Sequence, residues 1–371
     1  MRIVPVEAIR AGSKLGKTIY DYSGKILLKK GVELSKTIIE RLKKIDIYSV
    51  YIEDEYSSIE IEDVIRPDVR LKSINYLKET FNNIERVVED KTIAVHNKKK
   101  ILRKMNLEYF SSIHKIAEEI VDDILINEKI LINLVDVKNV SNYLYQHSVN
   151  VAVLSLAMGV SMKMNKKDLI ELALGALLHD IGKIFIDKDI VEREGKLSIE
   201  EDKEFKTHPK KGYDYMKKSN LLKTKSLLII LQHHEQINGL GYPSGLKGDK
   251  INDLAKIVSI ADCYDYLTSD TEETRAISSA DALEFIMVHC NNYFDFEYVK
   301  VFKKILIAYP KGTIVRLSND DIAIVESTPA NYPLRPNVKI LKSKNRERIG
   351  ENISLLKELS IVISKVEYYI E

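Results

Sequence analysis

Hydrophobic positions change their spacing three times along the chain, and each change marks a different kind of element. Over residues 1 to 65 the apolar runs are short and broken by Gly12, Gly16, Gly24 and Gly31, the texture of short strands and turns. The stretch KTIYDYSGKILLKKG predicts a hairpin turning at Ser23-Gly24. A helix over Lys36 to Lys44 and a strand over Tyr48 to Ile52 would complete a small α+β module, either structural and dimerising or ligand-sensing. From Val69 to Val135 apolar residues recur every three or four positions among Lys and Glu, which predicts long amphipathic helices. Their apolar stripe is expected to pack on another subunit.

Residues 140 to 310 read as helix after helix, interrupted by the turn-rich NGLGYPSGLKGDKIND and closed by the breaker Pro310-Lys311-Gly312. TIVRLSNDDIAIV then alternates about Asn319-Asp320 as a β-hairpin does. Pro329, Pro333 and Pro336 mark an irregular connection to a strand near Val338 to Leu341, and IVISKVEYYI ends the chain as a strand. There is no internal repeat or low-complexity tract. The pattern divides the chain into an α+β module at 1–65, an amphipathic helical linker at 66–138, a helical domain at 139–312 and a strand-rich extension at 313–371. The fold class is mainly α, with a small α+β N-terminal module and a short C-terminal β-hairpin region.

Composition narrows the function. A chain of 371 residues with 45% hydrophobic content has ample material for a core. Lys and Arg total 57 against 55 Asp and Glu, so no overall field draws the molecule to a DNA or RNA polymer, and an anionic ligand must be met locally. The basic run Lys98 to Lys100 has no interleaved aromatics and reads as a solvated helix face. Cys263 and Cys290 form no CxxC pair, which suits a reducing, cytoplasmic compartment, and the N-terminus lacks a secretory apolar core. Asn139 to Met162 carries no charged residue over 24 positions, long enough for a membrane span. Its Asn139, Ser141, Asn142, Gln146, His147, Ser148, Asn150 and Ser155 argue instead for a buried core helix without membrane insertion.

The histidines carry the chemistry. Of eight in the chain, five (His147, His179, His208, His233 and His234) fall within one helical region that also holds Asp180 and Asp262. His96, His114 and His289, taken singly, read as ordinary core or surface residues. The doublets His179-Asp180 and His233-His234 each follow an apolar run, where an unpaired polar group is costly to bury. A metal ion is the partner that imidazole and carboxylate accept most readily. On a helix, His179 and Asp180 would point about 100° apart and grip one ion or straddle two.

LLHDIGK followed by His208, His233-His234 and Asp262 resembles the HD superfamily of metal-dependent phosphohydrolases. The continuation HHEQINGLGYPSGLKGDKI, with Gly241, Tyr242 and Pro243, resembles its HD-GYP family, over about Tyr143 to Ile324. The resemblance implies that the helical domain is the catalytic one, a phosphodiesterase opening cyclic di-GMP or a related cyclic dinucleotide to a linear dinucleotide. It further implies that His147, His179, Asp180 and Asp262 hold one divalent transition metal. Asp180 would bridge to a second, held by His208, His233 and His234, with iron or manganese as the metals. Two such ions neutralise the diester and lower the pKa of a shared water. Lys183, taken as one helical turn after His179, would grip a phosphate oxygen. Asp265 would orient the water or a ligand, Glu235 would support a liganding histidine, and Tyr242 beside Pro243 would stack on a base.

Two departures from the family stand out. Members with a third metal use a glutamate where this chain has Tyr143, so two metals are expected. The arginine-rich run that follows DCYDYLTSD in the family is here Thr271, Glu272, Glu273 and Thr274, which cannot clasp phosphate as arginine does. Weaker binding of cyclic di-GMP or another preferred cyclic dinucleotide follows, with Lys247 and Arg275 as compensating cations. The alternatives are a metal-binding cyclic-dinucleotide receptor or interaction module with little catalysis, and a one-metal nucleotidase that leaves His208, His233 and His234 unused. A homodimer through the linker or N-terminal module is the expected assembly.

Overall fold

The computed structural model describes residues 1–20, 25–45, 47, 49–54, 64–126, 143–191, 193, 196–269, 276–329 and 331–369. The N-terminal strands β1 (Arg2–Pro5), β2 (Ser13–Leu15), β5 (Glu33–Leu34) and β6 (Ser49–Glu53) form a sheet in the order β1-β6-β2-β5, and β3 (Ile19–Tyr20) pairs with β4 (Ile26–Leu28). Ser23-Gly24, the expected hairpin turn, lies outside the described residues. Helix α1 (Lys36–Lys44) starts at Ser35, whose hydroxyl accepts from the Ile38 N–H, and ends in Arg41, Lys43 and Lys44. These are the cap and charge placement that a helix dipole favours. Val4, Leu15, Leu34, Leu42, Val50 and Ile52 close a separate small core.

Helices α2 (Pro67–Glu89) and α3 (Val95–Ile126) bring their stripe of Val69, Leu77, Phe81, Ile84, Phe110, Ile113 and Ile120 into the main core. The stripe expected to face another subunit is therefore spent inside the chain, against α4 (Tyr143–Ser161) and α5 (Lys166–Leu177). Helix α4 is the centre of the molecule. Every residue from His147 to Gly159 is buried, so it shows no polar face. Such a helix must be surrounded on all sides. Among the described residues no helix is long and apolar enough to cross a membrane.

Short helices α6 (Lys188–Val191) and α7 (Ile199–Phe205) lead into α8 (His208–Ser219) and α9 (Thr224–Gln232). After the long turn-rich loop come α10 (Asp253–Leu267), α11 (Ser279–Val288) and α12 (Phe296–Ile305). The C-terminal strands exceed the expected hairpin. Strands β7 (Ile314–Leu317), β8 (Ile322–Ser327), β9 (Asn337–Lys342), β10 (Asn352–Ser354) and β11 (Ile363–Glu367) make one five-stranded antiparallel sheet in the order β10-β9-β8-β7-β11. The Asn319-Asp320 turn stands where expected, with Asp320 at φ 70°.

Candidate metal centre

Five segments of chain deliver the predicted ligands to one buried place. His147 comes from α4, His208 is the first residue of α8, His233 and His234 follow the last turn of α9, and Asp262 projects from α10. His179 and Asp180 are not on a helix, as the sequence suggested. Helix α5 stops at Leu177, and the pair sits in the turn before a 3-10 segment, Ile181–Phe185. The tighter winding alters what lies next to what, because residues three apart on a 3-10 turn eclipse. Lys183 consequently stands over Asp180 rather than His179, its ammonium donating to Asp180 Oδ2 at 2.6 Å.

Asp180 divides the cluster. Its Oδ2 faces His179 Nε2 at 3.4 Å and His147 Nε2 at 3.9 Å, while its Oδ1 faces His208 Nε2 at 3.3 Å and His233 Nε2 at 3.9 Å. Asp262 Oδ1 lies 3.0 Å from His147 Nε2 and 3.9 Å from His179 Nε2, and its Oδ2 lies 3.7 Å from His234 Nδ1. The donor atoms of His147, His179 and Asp180 fall within 4.8 Å of one another, as do those of Asp180, His208, His233 and His234.

The rings are held so that one nitrogen points inward. Backbone carbonyls of Ala176, Phe205 and Ile230 accept from the Nδ1 of His179, His208 and His233, at 2.7, 2.8 and 3.0 Å. A carbonyl only accepts, so each Nδ1 donates its proton outward and each Nε2 is turned to the centre, where it can offer a lone pair to a cation. Two of those nitrogens, Nε2 of His208 and of His233, stand 3.4 Å apart. His179 Nε2 and Asp180 Oδ1 are buried with no hydrogen-bond partner among the described residues. Polar atoms left in this condition are costly, and a divalent cation on either side of Asp180 would satisfy them. The donor set fits the metals expected of it.

Electrostatics agree with that arrangement. Burial holds the pKa of His179 below the ordinary range, and burial with the neighbouring His234 drives His233 well below it. His234 is pushed down to about 3, mainly by burial, although 26% of its side chain is exposed. Burial disfavours the charge on Asp180, yet Lys183, His179 and His208 outweigh it and hold the carboxylate well below the usual range. His147 goes the other way. Its burial opposes protonation, but hydrogen bonds to Asp262 and Asp265 raise its pKa to about 9, so without an ion a proton stands where the carboxylates call for positive charge.

Asp265 and the turn-rich loop take their places around this centre. Asp265 Oδ2 lies 2.8 Å from His147 Nδ1, so it orients a ligand ring directly. The loop folds back over His234: Tyr242 N–H donates to the His234 carbonyl, and the Tyr242 ring stacks on the His234 ring at 4.7 Å and 30°. The Lys206 ammonium also lies over the Tyr242 ring, 5.9 Å from its centroid. A Cβ at Gly241 would lie 2.5 Å from the His234 carbonyl oxygen, so only glycine permits this return. Lys247 is exposed on the same loop, whereas Thr271–Thr274 and Arg275 lie outside the described residues.

Glu235 does not support a histidine. Its two carboxylate oxygens accept from the backbone N–H groups of Ser244 and Leu246, at 2.7 and 2.8 Å, making it the brace of the loop that carries Tyr242. Glu235→Gln replaces one acceptor with a donor facing an N–H, at a cost of about 1.5–3 kcal/mol. Faster hydrogen exchange across residues 236–250, with metal content unchanged, is the expected result. Two further residues lay outside the sequence reading. Asn150 donates to Asp265 Oδ1 at 3.0 Å, and Arg70 donates to Asn150 Oδ1 at 2.6 Å. Asn150 had one available signal, since three residues from His147 on a helix is the same face; Arg70 had none.

Residues 129–297 match the HD domain family, and residues 314–368 match a KOW domain associated with HD domain. The chain is 32% identical over 228 residues to a Pseudomonas aeruginosa protein named cyclic di-GMP phosphodiesterase, covering 62% of this chain and 55% of that one. It is 31% identical over 177 residues to a Vibrio cholerae protein named 3'3'-cGAMP-specific phosphodiesterase, covering 48% of this chain and 38% of that one. A solved structure of an HDG"Y"P protein from Bdellovibrio bacteriovorus shares the fold, with a TM-score of 0.52 at 22% identity over 82% of this chain and 98% of its own. The chain thus spans about half the length of the first relative. Fold, site and matches together define an HD-domain protein with a buried histidine and aspartate centre. Within that class, the chain is similar to proteins of the HD-GYP family.

Proposed function

We propose that the protein is a metal-dependent phosphodiesterase that opens a cyclic dinucleotide, cyclic di-GMP or a related one, to its linear form. The observation that carries this reading is Asp180, whose two oxygens face two separate groups of inward-pointing histidine nitrogens. His147, His179, Asp180 and Asp262 would hold one divalent ion, and Asp180, His208, His233 and His234 a second, iron or manganese. Such ions supply neutralisation of the diester and a nucleophile from water near neutral pH. The substrate class comes from the names of the relatives above, which cover both cyclic di-GMP and 3'3'-cGAMP.

The chain's own residues complete the site. Lys183, 18% exposed and fixed by Asp180, is placed to take a phosphate oxygen as charge builds there. Asp265 keeps His147 in its liganding orientation. Tyr242, with Pro243 and Lys247 on the same loop, is the proposed base and phosphate contact, joined by Arg275. Unpaired Cys263 and Cys290 suit a reducing, cytoplasmic place of action. The test is single-turnover hydrolysis of labelled cyclic di-GMP and 3'3'-cGAMP by anaerobically iron- or manganese-loaded protein. A linear dinucleotide is the expected product; tight binding of both without cleavage would make the protein a receptor instead.

A further inference from the structure

Helix α2 lies outside the segment that matches the HD domain, yet it reaches the candidate metal centre through an unbroken chain of hydrogen bonds. Arg70 Nη1 donates to Asn150 Oδ1 at 2.6 Å, Asn150 Nδ2 donates to Asp265 Oδ1 at 3.0 Å, and Asp265 Oδ2 meets His147 Nδ1 at 2.8 Å. We propose that Arg70 is a positioning residue for His147, acting through Asn150 and Asp265, so that α2 is a working part of the metal centre. The proposal rests on the metal-dependent reading above.

The polarity of the relay is self-consistent. A guanidinium can only donate and a carboxylate only accept, so the Asn150 amide fits in one orientation; flipped, it would set NH2 against Arg70 and oxygen against Asp265. Asp265 is 1% exposed, and a carboxylate that deep needs each oxygen engaged. With one oxygen fixed by Asn150, the other receives the His147 Nδ1 proton, which turns Nε2 toward Asp262 and Asp180. The helix itself is firmly seated. Tyr145 of α4 donates to Asn82 of α2 at 2.9 Å, and Arg66 at the α2 N-terminus bonds Asp123 of α3 at 3.0 Å.

Cobalt(II) titration of the full chain tests this, because it reads two sites separately by their visible bands without any turnover. Arg70→Met should weaken one of the two cobalt sites about 10–100-fold and leave the other unchanged, with Arg70→Lys restoring most of the loss. Asn150→Leu cuts the same relay from within α4 and should give the same selective loss, and the double variant should lose no more than either single one. Metal-free protein provides the independent reading: the His147 Nδ1 proton, followed by nitrogen-edited NMR, should shift in both variants. Wild-type affinity at both sites, or equal weakening of both together with a lowered thermal midpoint of the metal-free protein, would overturn the proposal. Should the wild type bind no cobalt, the metal-dependent reading fails, and the His147 proton alone decides: unmoved in both variants, it overturns the relay.

Discussion

Asp180→Asn is expected to abolish hydrolysis of cyclic dinucleotides while leaving the chain folded. Among the described residues no other belongs to both ligand groups, so neither group survives the change intact. An amide offers one neutral oxygen and one donor, and whichever way it turns, an N–H faces histidine lone pairs on one side. The charge lost is the one that would hold two like-charged ions together, and metal centres supply several kcal/mol of transition-state stabilisation. A rate loss of at least about 10³-fold follows, with bound metal falling from two per chain to one or none. Against the cost of burial, Lys183, His179 and His208 together hold Asp180 as a carboxylate, so the metal-free variant loses a net favourable set of interactions and should melt somewhat lower than the wild type, still in one cooperative transition. Rate, metal ratio and thermal midpoint of one preparation check all three.

Gly182→Ala is expected to act through the backbone. The 3-10 segment that follows Asp180 packs against the start of α8, and a Cβ at position 182 would fall inside the van der Waals shell of the His208 carbonyl oxygen and lie 2.7 Å from Gly212 N. Neither neighbour is a side chain that can swing away. The two segments must part, which separates Asp180 from His208, now 3.3 Å apart. Overpacking of this kind costs about 3 kcal/mol, and the second ligand group should lose its ion. A lowered midpoint of unfolding with metal content near one per chain is the expected pair of results; wild-type stability and full metal loading would show that the contact is looser than it looks.

Much of this centre was legible in the sequence because metal ligation leaves marks that burial alone does not. Polar doublets after apolar runs, as at Leu177-Leu178 before His179-Asp180, announce a group that needs a partner inside the core. The fold class was readable for a similar reason, since the period of α2 and α3 and the uniform apolarity of α4 are set by what each helix packs against. What escaped was tertiary. Gly182 packs closely against the start of α8, a contact no local pattern encodes, and the 3-10 winding there sets Lys183 over Asp180 rather than His179. Glu235 looked like a ligand's support because it follows two histidines, yet its oxygens turn outward to the loop backbone. Arg70 sits 80 positions from Asn150, and only folding brings the two together. The stripe on α2 and α3 showed that these helices bury a face, but periodicity cannot say whether the partner is this chain or another.

The central claim is that one carboxylate, Asp180, bridges two ions. Anomalous scattering from crystals of protein loaded anaerobically with iron or manganese locates them directly. Two peaks roughly 3.5–4 Å apart are expected, one among His147, His179 and Asp262 and the other among His208, His233 and His234, with Asp180 between. A single peak, or none at these side chains after loading, would contradict the account.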